Sequence, residues 1–125
     1  MKGRRPDVAQ SPVELALVLP VLALFVLLIV QIGLVVRAQV LVTHAAREAA
    51  RVVAVTNDPG LAGSAANGVT GLDPGLTTVS VEGSAAPGSD VTVVLEHRFD
   101  TAVPLIGALL GDVTLEARAT MRAEG

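Results

Sequence analysis

Leu15 to Val36 is a run of 22 residues without a formal charge, in which Gln31 is the only polar side chain. As a helix it covers about 33 Å, enough for the roughly 30 Å of hydrocarbon in a bilayer. The rest of the 125-residue chain is too small to bury such a segment on all sides. The run therefore reads as a transmembrane helix, and everything else in the chain has to be arranged around that constraint. Pro20 lies inside it and predicts a kink that neighbouring helices or a local backbone adjustment can absorb.

Charge divides the chain on either side of this helix. Residues 1–55 hold six basic and three acidic groups, and residues 56–125 hold three basic and nine acidic groups. A basic, apolar front and an acidic, turn-rich back predict an anchor joined to a solvated domain. Lys2 is the only lysine, and Ala, Val and Gly are plentiful, a bias that leans toward a GC-rich bacterial source. Phe25 and Phe99 are the only aromatic residues, which argues against a nucleic-acid module built on stacking. The absence of cysteine excludes a disulfide framework, thiolate zinc and a thiol nucleophile.

Helical periodicity continues beyond the run. From Leu34 to Val55, residues Leu34, Ala38, Leu41, Val42, Ala45, Ala49, Val52 and Val53 share one side of the helical wheel. Arg37, Gln39, Thr43, His44, Arg47 and Arg51 share the other. His44 and Arg47 read as part of this solvated face, not as a site. One helix of about forty residues results, ending at the breaker cluster Asn57-Asp58-Pro59-Gly60. Asp-Pro-Gly-Leu occurs at 58–61 and again at 73–76, each a turn signature, with a short helix possible between them over 61–69. Three segments of alternating polarity come next, around 78–82, 91–99 and 113–122, predicting an antiparallel sheet solvated on one face. The apolar stretch "VPLIGALLG" at 103–111 is too short to span a bilayer and is expected under the sheet or against a membrane surface.

A three-stranded sheet in about 70 residues is marginal alone. The exported half of the helix supplies the missing layer. The expected fold class is α+β, a long N-terminal helix packed on a small three-stranded antiparallel sheet. Its parts are a basic leader (1–9), a transmembrane helix (10–36), an exported amphipathic helix (37–56), a Gly/Pro-rich linker (57–76) and a β domain (77–125).

The chemistry search points away from catalysis. No phosphate-binding loop or nucleophile elbow is present, and His44 and His97 fall on different elements without cysteine partners. No cofactor, metal or nucleic-acid partner is expected, and the chain reads as a non-enzyme.

What remains is the head of the apolar run, "AQSPVELALVLP" at 9–20. Ser11 as N-cap, Pro12 at the first helical position and Glu14 two residues on form a capping box with a proline-first start. Glu14 also meets the positive end of the helix dipole. Yet the wider pattern carries more. A basic leader is followed by a small residue, four residues, a glutamate and about twenty apolar residues, running on into an amphipathic helix and a small sheet. This resembles a type IV prepilin, and more closely the TadE-like family of minor pilins or pseudopilins in tight-adherence pilus systems. The resembling residues are "VELALVLPVLALFVLLIVQIG" at 13–33, "THAAREAARVVAV" at 43–55 and "LEARATMRAE" at 115–124.

The resemblance implies cleavage by prepilin peptidase between Ala9 and Gln10, with Ala9 where the family usually carries glycine. It implies that Glu14 pairs with the new terminal amine of a neighbouring subunit. It also implies other pilin subunits and an inner-membrane assembly platform as partners, and a single-pass location in the cell membrane. The positive-inside count is a tie, since residues 1–9 and 37–51 each carry three Lys/Arg. The clustering of three in the first five residues, and the acidity of the domain beyond the helix, favour a cytoplasmic N-terminus. Two alternatives stay open: a secreted binding module released by signal peptidase after Ala38, and a plain signal-anchored envelope protein.

Overall fold

The computed structural model describes residues 10–69, 71–100, 108–109 and 111–125. Helix α1 spans Gln10–Thr56, continuous for 47 residues through Pro20. Its described residues begin at Gln10, so Ser11, expected as the cap, and Pro12 are both helical. It ends where Asn57 takes a left-handed φ of 56° and its N–H donates to the Val53 carbonyl at 2.8 Å. Asparagine tolerates that conformation better than most residues.

Both Asp-Pro-Gly-Leu copies fold alike. Pro59–Leu61 and Pro74–Leu76 are single 3-10 turns, and in each the preceding aspartate accepts from the glycine N–H at 2.8 Å. The proline presets φ and the aspartate caps the turn, so one sequence signature gives one structure twice. Between them lies helix α2, Ala62–Asn67, which puts Ala62 and Ala66 into the core.

Strands β1 (Thr77–Gly83), β2 (Asp90–Phe99) and β3 (Val113–Arg122) form an antiparallel sheet in the order β1-β2-β3. The register pairs Val81 with Val93 and Leu95 with Ala117. Gly83 needs its missing side chain, because φ is +88° and an added Cβ would lie 2.6 Å from the Asp90 carbonyl oxygen. Strand alternation sends Val91, Val93, Leu95 and His97 inward and Glu96 and Arg98 outward, as period two demands.

Val94 departs from that pattern: it points outward yet is 5% exposed. Opposite it on β3 stands Arg118, which reaches to Glu82 on β1 at 3.5 Å while also holding Glu116 at 2.8 Å. The register thus places this valine beneath the ion pairs of the outer face, beside a long cationic side chain of the kind that commonly covers apolar surface.

The core lies between the sheet and the second half of α1. Its helical side is Ala38, Val42, Ala45, Ala46, Ala49, Ala50, Val53 and Ala54, and its sheet side Val91, Val93, Leu95, Leu115, Ala117 and Ala119. Burial of Ala46, Ala50 and Ala54 widens the helical face beyond the stripe expected from the wheel, since a run of alanines lets the helix sink further into the sheet. The expected location of 103–111 concerns mostly residues outside those described; Ala108 and Leu109 are helical, and Leu109 is 74% exposed.

Candidate functional site

The functional residues expected from sequence all belong to the first turns of α1. Ser11, Pro12 and Glu14 are exposed, and the structure brings no partner to the Glu14 carboxylate among the described residues. Gln10 is the first helical residue, one turn before Glu14, and Ala9 lies outside the described residues. The head of the helix thus presents a carboxylate beside a helix N-terminus, where the backbone dipole favours negative charge.

Below that head the helix is bare. Leu17 is 69% exposed and Phe25 59%, and Val18, Leu22, Val26, Ile29, Ile32 and Val36 are exposed with them. A large apolar surface of this kind on a single chain marks contact with lipid or with other chains. Among the described residues α1 is the one helix long and apolar enough to cross a membrane. Gln31 interrupts it: this side chain is 2% exposed, and neither amide atom has a hydrogen-bond partner among the described residues.

The second half of α1 is fixed against β3 at two points. The Gln39 amide donates to the Glu116 carbonyl at 3.1 Å, and the Glu124 N–H donates to the Ala54 carbonyl at 2.9 Å. Residue numbers rise together along both elements, so α1 and β3 run parallel. Asn57 adds a clasp, its side-chain amide donating to the Ala85 carbonyl at 2.6 Å and the Glu124 carbonyl at 3.1 Å. One asparagine thereby joins the helix end, the β1–β2 turn and the segment after β3. In the sequence Asn57 reads only as a helix breaker, because its long-range bonds leave no local signal.

His44 and Arg47 are exposed, in keeping with a solvated face. His97 is buried at the inner face of β2, with Nδ1 2.9 Å from the Thr77 hydroxyl. That hydroxyl also lies 2.8 Å from the Asp73 carbonyl, so the histidine ties β2 to the second 3-10 turn. Arg98 and Arg118 are held above the ordinary arginine range, chiefly by hydrogen bonds to Asp112 and Glu116 and then by the charges of those carboxylates. Both are exposed pairs on the solvent face, and they stay charged throughout the physiological range. Among the described residues no cluster of His, Asp and Glu could hold a metal ion.

Residues 10–51 match the family model described as TadE-like protein. The matched segment lies wholly within α1, from its first residue through most of the sheet-packed half. It agrees with the family that the sequence resembles. No curated protein and no solved structure matches the chain.

Proposed function

We propose that this protein is a membrane-anchored minor pilin or pseudopilin that helps assemble a tight-adherence pilus or a related secretion filament. The observation that carries this reading is the coincidence of the TadE-like match with one unbroken helix, bare and apolar at first and then sheet-bearing. Such a subunit has to be held in a membrane before assembly and has to offer an apolar rod to its neighbours afterwards. The bare half of α1 suits both states.

In this reading prepilin peptidase cuts between Ala9 and Gln10, and the tail preceding the cut stays in the cytoplasm. The cut would leave the described length of α1 intact. Glu14 then pairs with the new amine of a neighbouring subunit. A carboxylate moving into an apolar filament core needs such a partner, because an unpaired charge there is costly. The role is structural, with the inner-membrane assembly platform and other pilin subunits as partners. The signal-peptidase alternative is weakened by the helix itself, since Ala38 is buried mid-helix against the sheet and belongs to the folded core.

The test is the intact mass of the chain from its native cell, with and without prepilin peptidase. A peptidase-dependent start at Gln10 supports the pilin reading. A start at Met1 favours a plain anchor, and a start at Gln39 favours the secreted module. In parallel, Glu14→Val should leave membrane insertion intact and abolish co-purification with the filament machinery. Undiminished co-purification would remove the pairing role.

A further inference from the structure

Where α1 leaves the uncharged run, the folded domain does not close completely against it. A cavity of about 190 Å³ opens there, lined by Leu34, Arg37, Ala38, Leu41, Gly71 and Phe99. Five of these six bring only hydrocarbon or backbone. Gly71 shapes the wall: its φ is +102°, and a Cβ there would come within 3.0 Å of a Leu41 methyl. The sixth residue, Arg37, is the first charge after the 22-residue run and is exposed. It has no ion pair among the described residues, whereas Arg51 and Arg98 each have one and Arg118 has two.

We propose that this notch holds one anionic phospholipid, its phosphate on the Arg37 guanidinium and the upper part of an acyl chain in the Leu34–Phe99 cavity. The proposal rests on the membrane-anchor reading of α1. Two features favour a lipid over any other occupant. Leu34, in the last turn of the uncharged run, lines the cavity, which therefore opens beside the part of α1 that the hydrocarbon would bathe, and in the proposed arrangement an acyl chain enters from that side. The unpaired cation stands at its rim at the level where phosphates lie, and guanidinium suits phosphate through its fork of N–H donors. A ligand that fills the notch must therefore be apolar at one end and anionic at the other.

Full-length protein in nanodiscs of mixed phosphatidylcholine and phosphatidylglycerol provides the test, read by native mass spectrometry of the lipid kept after release. The wild type should keep phosphatidylglycerol in preference to phosphatidylcholine. Arg37→Gln should lower that preference about fivefold, the effect of one arginine near an anionic surface. Arg47→Gln removes another exposed arginine, higher on the helix, and should change nothing. Leu34→Trp, which fills the notch, should release both lipids, with folding confirmed by circular dichroism. An equal drop for Arg37→Gln and Arg47→Gln would mean diffuse surface attraction and overturn the proposal. So would retention unchanged in Leu34→Trp, or displacement of the lipid by glycerol phosphate, which carries the anion without the chains. Flotation with vesicles tests the anchor separately: a wild type that does not float removes the anchor reading itself, and a wild type that floats but keeps no lipid removes only the notch.

Discussion

The two halves of α1 share one backbone and differ in what their side chains do. Before Arg37 the helix is built of Leu, Val, Ile and Phe, and most of these are exposed. After it, the inward positions are six alanines and two valines, all buried. Large side chains maximise apolar area for a surrounding that has no fixed shape. Small ones let a helix approach a sheet whose shape is fixed. Hydrophobicity alone does not distinguish the halves; side-chain volume does.

The sharpest way to break this contrast is to hollow out the fixed side. Leu95→Ala, at the centre of β2 beneath the helix, should cost roughly 2–5 kcal/mol of domain stability in urea titration. A loss well below that range would mean the helix can settle onto the sheet. Next comes overfilling. Ala49→Leu should cost about 1–3 kcal/mol because the site has no spare volume, while Ala23→Leu in the bare half should leave the unfolding midpoint where it was. Equal responses at 23 and 49 would erase the distinction between the halves.

Gln31→Leu works in the other direction. Removing a buried amide that has no partner among the described residues should raise stability by roughly 1–3 kcal/mol, and a fall would reveal a hydrogen bond to that amide. Asn57→Ala should cost about 1 kcal/mol or somewhat more, from two lost hydrogen bonds and an unfavourable left-handed φ. Amide hydrogen exchange at Glu124 would report the loosened clasp. The smallest response belongs to Arg98→Gln. Its pair with Asp112 is exposed at both ends, so in high salt the variant and the wild type should unfold together.

How far the sequence anticipated this molecule depended on the range of the interaction concerned. The three strands and their inward residues arise from alternation, a local pattern that the register preserves. The twin turns come from proline, aspartate and glycine acting within four residues. Val94 could not be placed this way, because its neighbours across the sheet, Ser80 and Arg118, are far along the chain and opposite it only in the folded sheet. The Asn57 clasp and the Thr77–His97 bond are equally non-local. At the head of α1 the Ser11–Pro12–Glu14 pattern falls within the first described residues of the helix. The pairing proposed for Glu14 would depend on a neighbouring chain, which no intrachain contact encodes.

The parallel course of α1 and β3 has a mechanical consequence. Their contacts at Gln39–Glu116 and Ala54–Glu124 lie near opposite ends of one seam. Tension applied through the N-terminal rod runs along that seam, so the helix and sheet are loaded in shear. Bonds loaded in this way share the force and must fail together, unlike those of a strand peeled from its edge. In a filament of the kind proposed, a subunit tugged from its N-terminal end would keep its fold for that reason.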